Sequence, residues 1–316
     1  MVENEVGEVQ IKSGNSVSAG ALATLGFWGI DCLITTQRGN PVAVLKSLSD
    51  DMHVETRMSQ YEAVKSEKGI SIAKAFVLGK LEGQNQVLKK YGLKRLDFVY
   101  TERIRNLEES DLTRLRRQLT QIEAKCAQLY FREVFSLFPE AVRSKRRRTF
   151  KAYDGLNNLF NLGYQMLKWK VHIALLKAEL EPYLGFLHST QFGKPSLVCD
   201  FQELYRHIID DFIIQHFMTL TKSDLVLKDE DCPPNRKGKR EYLKKQENSD
   251  FMKKLNKHFT NLVEVPRMKV GERQEIETLI NEEALLFAEF LRSERKTWAP
   301  RTVIVERSRA RPIKVQ

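Results

Sequence analysis

The spacing of hydrophobic and polar residues changes once along the chain, near residue 52. Before it, short alternating or β-branched runs at residues 9–11, 30–36 and 42–45 are separated by turn residues and predict strands, with one helical stretch at 18–25. After it, apolar residues recur at intervals of three and four, which predicts helices. The pattern predicts an α+β protein, in which a small N-terminal β domain (residues 1–52) precedes a larger all-α domain (residues 53–300).

A predicted helix at residues 112–138 places a carboxylate beside its apolar stripe. Glu123 lies four residues after Leu119 and three before Cys126, and both of these apolar residues belong to the stripe. Because burying an unpaired carboxylate is costly, Glu123 needs a cation. An ordinary Lys or Arg partner and a metal ion both remain open from the spacing.

A second acidic cluster follows a histidine. Asp200 and Glu203 are three residues apart on one predicted helix, and an apolar connection after Pro182 ends in His188 shortly before them. Asp200 could instead cap that helix, with Glu203 completing a capping box. We favour the chemical interpretation because the apolar pattern begins before Asp200. Carboxylates with one imidazole suit Mg²⁺ or Mn²⁺, and Mn²⁺ tolerates the imidazole better.

The charge of the chain favours polyanionic partners. Lys and Arg number 52 against 41 acidic residues, giving a net charge of +11, and the sign alone is weak evidence for nucleic acid. A basic segment supplies a candidate phosphate clamp for DNA, although a solvated linker is the plain alternative. The segment comprises Arg143, Lys145, Arg146, Arg147, Arg148 and Lys151.

Other features bound the location and the ends of the chain. No apolar run approaches the length of a membrane span, and acidic residues stand where a signal peptide would be basic, so we expect a cytoplasmic protein. Four scattered cysteines indicate neither a zinc site nor a disulfide framework. The polar stretch at 228–250 predicts an exposed loop, and residues 301–316 predict a basic flexible tail.

Several blocks of sequence resemble one family in the same order. They are DGLNNLFNLGY (154–164), EPYLGFLH (181–188) and SLVCDFQELYR (196–206), preceded by IEAKCAQLYF (122–131). Together these blocks resemble the CRISPR-associated adaptation integrases, the Cas1 family. The resemblance extends over almost the whole chain.

The resemblance implies an activity, a site and partners. Glu123, His188 and Glu203 fall on the metal-ligand positions for Mg²⁺ or Mn²⁺, with Asp200 as an assisting acid. The implied activity is integration, in which a 3′-hydroxyl of captured double-stranded DNA attacks a phosphodiester at the edge of a CRISPR repeat. The implied partners are a second copy, joined through the β domain, and a smaller adaptation protein.

The same resemblance assigns supporting roles. Arg146, Arg147, Arg148 and Lys151 would hold the DNA backbone, and Tyr164 and Asn157 would lie just behind the metal ligands. Two other functions stay open: a non-catalytic DNA-binding subunit whose acidic residues form an ion-paired core, and a general nuclease for branched DNA.

The chain also departs from the family pattern. Gly83 stands where the family usually has Asn, and Ala124 replaces a Gly after Glu123. Few residues precede the first predicted strand, so we expect an incomplete β domain with an exposed strand edge.

Overall fold

The computed structural model describes residues 8–37, 39, 41–46, 52–150, 152–232, 236–264 and 273–305. Its N-terminal part is a three-stranded sheet of β1 (Glu8–Lys12), β2 (Asp31–Thr35) and β3 (Pro41–Leu45) in the order β1-β2-β3. Strands β1 and β2 are parallel and therefore need a crossover, which helix α1 (Ala19–Phe27) provides. Strand β3 pairs with β2 in the antiparallel sense.

The larger part of the chain is mainly helical. Its helices are α2 (Met52–Val64), α3 (Glu67–Lys90), α4 (Phe98–Arg105), α5 (Leu112–Ser136), α6 (Gly155–Lys177), α7 (Ser196–Glu203), α8 (Arg206–Phe217), α9 (Lys245–Phe259) and α10 (Ile276–Leu291). Helix α6 is central, because it packs against α7, α8 and α10, while α3 packs against α5, α7 and α8. The prediction of a small β region followed by a mainly helical part is confirmed. In the described part of the chain, no helix is both long and apolar enough to cross a bilayer.

The prediction of a loop at residues 228–250 is wrong. Strands β4 (Leu225–Cys232) and β5 (Arg236–Leu243) form an antiparallel hairpin there, and α9 begins at Lys245. Leu225 and Leu243 pair at the base of the hairpin and are buried. The residues between these two leucines are mostly polar and show no apolar alternation, so the sequence pattern did not reveal the strands. Two further short strands, β6 (Leu262–Glu264) and β7 (Arg273–Glu275), also interrupt the predicted all-α domain.

Residues 301–305, which the sequence predicted as part of a flexible tail, pack against the helices. Val303 is 2% exposed, and its carbonyl lies 3.0 Å from His207 Nε2 on α8. Two residues later, the Val305 amide donates to Gln86 Oε1 on α3 at 3.2 Å. Residues 301–305 therefore pack against both α3 and α8. Residues 306–316 lie outside the described residues.

The absence of a side chain at Gly83 makes the contact between His207 and Val303 possible. A Cβ at Gly83 would lie 2.5 Å from Nδ1 and 2.6 Å from Cγ of the His207 ring. An Asn at this position would meet the same ring. Gly83, which departs from the family pattern, thus leaves room for the His207 ring. That ring in turn contacts the Val303 carbonyl.

Replacing Gly83 with Ala tests this packing. We expect Gly83→Ala to lower the free energy of unfolding by about 1–3 kcal/mol, because the His207 ring has to shift. The measurement is equilibrium unfolding in urea, with Gly26→Ala as a control because a Cβ there meets nothing within 4 Å. Adding His207→Ala should make Gly83→Ala much less costly, and strictly additive effects would contradict the proposed contact.

Candidate active site

A pocket of about 180 Å³ lies where α3, α5, α6, α7 and α8 converge. Two glutamates, three cations and an aspartate are among its lining side chains: Lys80, Glu123, Arg147, Glu203, Arg206 and Asp210. Helix packing brings five of these groups together from α3, α5, α7 and α8, and Arg147 comes from the connection between α5 and α6.

Lys80 lies between the two glutamates. Its Nζ is 2.7 Å from Glu203 Oε2 and also contacts Glu123 Oε1. Arg206 adds a second cation, with Nη1 3.1 Å from Glu203 Oε1. Because the Glu203 side chain is only 2% exposed, these contacts compensate a charge that water scarcely reaches.

Electrostatics keep Glu203 and Lys80 ionised. Burial raises the pKa of Glu203, but the charges of Arg206 and Lys80 outweigh it and leave this pKa at about 2. Burial lowers the pKa of Lys80, yet Glu203 and Glu123 together hold it above its usual value. At neutral pH both Glu203 and Lys80 are therefore charged.

Asp200 holds the loop that carries His188. Its fully buried carboxylate accepts backbone hydrogen bonds from Phe186 (2.6 Å), Leu187 (3.0 Å) and His188 (2.8 Å), and lies 2.7 Å from His188 Nδ1. A carboxylate partner favours the proton on Nδ1, which leaves the Nε2 lone pair available to a ligand. Asp200 is not a helix cap, because α7 begins four residues earlier at Ser196.

The same loop requires glycine at position 185. A Cβ on Gly185 would lie 2.7 Å from the His188 carbonyl oxygen and 2.9 Å from Asp200 Oδ2. From the other side, Arg116 on α5 donates to the carbonyls of Phe186 (2.8 Å) and Gly185 (2.6 Å). The position of His188 is therefore determined by contacts on both sides of the loop.

Tyr164 lies at the inner wall of the pocket. Its hydroxyl donates to Asp210 Oδ1 at 2.5 Å, and Tyr130 donates to Asp210 Oδ2 at 2.7 Å. Burial raises the pKa of Asp210 to about 6 against these two hydrogen bonds. The guanidinium groups of Arg206 and Arg147 lie over the Tyr164 ring, 4.7 and 5.2 Å from its centroid.

The basic segment divides into an inner and an outer part. Arg147 turns inward, where its Nη1 donates to Asn157 Oδ1 (3.0 Å) and its Nη2 to Asn161 Oδ1 (2.7 Å). By contrast, Arg146 is exposed, and it lines a surface pocket with Arg143, Lys145 and Arg148. Arg147 thus lies apart from its exposed neighbour Arg146, because it donates to two asparagines and lies over the Tyr164 ring, and its role in DNA binding stays a prediction. Lys151 lies outside the described residues.

Asn157 supports this segment rather than the acidic cluster. Its Oδ1 also accepts from the Arg148 amide (2.8 Å), and its Nδ2 donates to the Arg146 carbonyl (2.9 Å). Asp154 caps α6 and holds the Asn157 amide group at 2.9 Å. Helix α6 thus fixes the backbone of residues 146–148.

The structure brings Glu123 and Glu203 together through Lys80, whereas His188 lies in the loop that precedes α7 and does not line the pocket. Across the described ranges, no three His, Cys, Asp or Glu side chains are close enough to hold an ion in this arrangement. The donor types, two carboxylates and one imidazole, nevertheless suit a divalent ion.

Sequence reasoning missed Lys80, Arg206 and Asp210. The three-residue spacing from Glu203 to Arg206 on one helical face could have identified Arg206. Lys80 follows Phe76 by four residues and Val77 by three, so the apolar stripe of α3 could have identified it as buried.

Comparison with known proteins decides the family. A sequence model described as "CRISPR associated protein Cas1" matches residues 3–248. The chain belongs to the Cas1 family. This match includes Glu123, His188 and Glu203, and ends before α9 is complete.

One curated Cas1 relative and two solved structures illustrate the similarity. The chain is 29% identical over 237 residues to the "CRISPR-associated endonuclease Cas1" of Korarchaeum cryptofilum, covering 69% of this chain and 70% of the relative. A casposase bound to an integration product shares the fold with a TM-score of 0.72 at 19% identity, covering 92% of this chain and 84% of that one. A chain of a partial Cas6-RT-Cas1–Cas2 complex shares it with a TM-score of 0.68 at 17% identity, covering 92% and 87%.

A Gly185→Ala variant tests how the His188 loop is held. We expect the free energy of unfolding to fall by about 1–3 kcal/mol, because the new methyl group collides with the His188 carbonyl and the Asp200 carboxylate. The control is Gly20→Ala in α1, where the nearest atom to a Cβ is 3.9 Å away. Equal urea midpoints for Gly185→Ala and the unmodified chain would contradict this packing, because they would show that the loop accommodates a methyl group at position 185.

Proposed function

We propose that this chain is a metal-dependent DNA strand transferase that inserts captured double-stranded DNA at a CRISPR repeat. The observation that supports this most strongly is the acidic pocket, in which Glu123 and Glu203 both contact the Lys80 ammonium group, while Asp200 holds the His188 imidazole in the loop that precedes α7. Membership of the Cas1 family, whose curated relative is named an endonuclease, supports the same chemistry.

Glu123, Glu203 and His188 would hold Mg²⁺ or Mn²⁺. Lys80 would have to leave its position between the glutamates, since its ammonium group neutralises the same oxygens. When bound, the ion would stabilise negative charge on the attacked phosphate. Asp200 would keep His188 in the ligating tautomer.

The remaining pocket residues would handle the DNA phosphate. Arg206 and Arg147 flank the Tyr164 ring, and Asp210 fixes the Tyr164 hydroxyl, so the two guanidinium groups have defined positions beside the glutamates. In the reaction, a 3′-hydroxyl oxygen forms a bond to phosphorus as the bond to the repeat's 3′-oxygen breaks. One hydroxyl is consumed and one released, so no external energy source is needed.

Binding partners follow from the same proposal. The outer arginines, with the net charge of +11, would hold the DNA backbone. The β domain would join two copies of the chain, and a Cas2-type protein would bridge such pairs, a pairing consistent with the complex named above.

A non-catalytic DNA-binding subunit is the second candidate. The contact of Lys80 with both glutamates favours it, because an ion-paired core needs no metal. The two candidates differ in their response to metal and to loss of the acidic residues. A general nuclease for branched DNA would use the same pocket in the reverse direction.

Replacing the ligands tests the catalytic proposal. We expect Glu123→Gln, His188→Ala and Glu203→Gln each to reduce strand transfer and branched-DNA cleavage by about a hundredfold or more, because charge stabilisation at the phosphate is lost. Affinity for duplex DNA should remain within about twofold. The assay uses a branched or leader–repeat substrate with and without Mn²⁺.

The matched control is Glu133→Gln on the same helix as Glu123, since Glu133 contacts Arg132 away from the pocket. Undiminished activity in the ligand variants would refute the assigned site. Duplex binding without any metal-stimulated reaction would favour the non-catalytic subunit.

The outer arginines can be tested by salt dependence. We expect Arg146→Ala with Arg148→Ala to weaken duplex binding and to flatten the slope of log K against log salt concentration by about 2, because two phosphate contacts are lost. The control pair is Arg105→Ala with Arg132→Ala, which are exposed arginines that contact Glu102 and Glu133. An unchanged slope would show that the segment is a solvated linker and does not contact DNA phosphates.

A further inference from the structure

An exposed phenylalanine stands at the tip of the turn between His188 and α7. The relative exposure of Phe192 is 109%, so its ring contributes nothing to the core. Phe186 and Phe201, at either end of the same region, are fully buried. The ring follows the candidate ligand His188 by four residues and is available to a partner molecule.

The turn presents this ring in a defined place. The Lys194 amide donates to the Gln191 carbonyl at 3.1 Å, and the two residues form an isolated β-bridge around the tip. Gly193 has φ +70°, a conformation that favours glycine. At the base of the turn, the Ser196 hydroxyl donates to the Ser189 carbonyl at 2.8 Å.

The anchored His188 limits how far the ring can lie from the pocket. Phe192 follows His188 by four residues, so their Cα atoms are separated by at most about 14 Å. Successive nucleotides of one strand rise about 3.4 Å. The ring can therefore reach only bases within roughly four nucleotides of a phosphate held at His188.

The chemistry of the turn suits a nucleobase. Residues 189–195 contain one charged side chain, the cation Lys194, and no acid. A single ring is too small to anchor a stable protein interface, but it is the size of one base and can stack on it. A base beside its phosphate would meet Phe192 and Lys194 together.

We propose that Phe192 stacks on a nucleobase exposed at the strand junction and so positions the target phosphodiester in the acidic pocket. This inference rests on the proposed strand-transfer function. It makes Phe192 a positioning residue that does not touch the reacting atoms. Stacking of this kind should change affinity for branched DNA by about ten- to a hundredfold.

Fluorescence of 2-aminopurine tests the proposal without turnover. The base is placed one to four nucleotides from the junction of a branched duplex, and binding is measured for a Glu123→Gln chain. We expect binding to change the fluorescence at one of these positions, Phe192→Ala to abolish the change and Phe192→Trp to retain it. Phe192→Ala should also weaken binding of branched DNA ten- to a hundredfold and of unbranched duplex less than about twofold.

Phe98→Ala is the control, because Phe98 is a 65% exposed ring on α4 that does not line the acidic pocket. If the unmodified chain joins strands while Phe192→Ala leaves fluorescence and affinity unchanged, the stacking role is wrong and the proposed function stands. Loss of self-association or of Cas2 binding, with the DNA signal intact, would make the turn a protein contact and overturn the inference. If the unmodified chain neither joins strands nor prefers branched DNA, the proposed function fails and the inference falls with it.

Discussion

The charge of Glu203 in the protein interior is the constraint on which the centre of the fold depends. An uncompensated buried charge costs about 3–5 kcal/mol, so the helices around it have to supply cations. Lys80 comes from α3 and Arg206 from the first residue of α8, while Glu123 on α5 shares the Lys80 ammonium. Neutralising this charge therefore links the packing of α3, α5, α7 and α8, and the pocket forms where they meet.

Asp200 plays a comparable part for the loop beside the pocket. By accepting three backbone hydrogen bonds and contacting His188 Nδ1, it converts an apolar connection into a fixed support for one imidazole. This close approach requires glycine at position 185, because a Cβ there would collide with its neighbours. The turn that carries Phe192 directly follows this loop. The position of the inferred DNA contact therefore also depends on the Asp200 carboxylate.

Apolar periodicity predicted the helices that carry Glu123 and Glu203, and alternation predicted the N-terminal strands within a few residues of β1, β2 and β3. Periodicity could not predict that Lys80 lies between the glutamates, because the pattern of one helix does not show which side chains of other helices it meets. A run of arginines likewise indicated a basic surface but concealed Arg147, which Asn157 and Asn161 draw inward. Such contacts join residues distant in sequence and depend on packing.

In the proposed function, Glu123, Glu203 and His188 bind one divalent ion in place of the Lys80 ammonium. X-ray diffraction from crystals grown with Mn²⁺, at a wavelength where manganese scatters anomalously, measures this directly. We expect one anomalous peak bounded by the two carboxylates and His188 Nε2, with Lys80 Nζ displaced from between the glutamates. A Lys80 Nζ that keeps its contacts with both glutamates, with no peak beside them under conditions that support strand transfer, would contradict it.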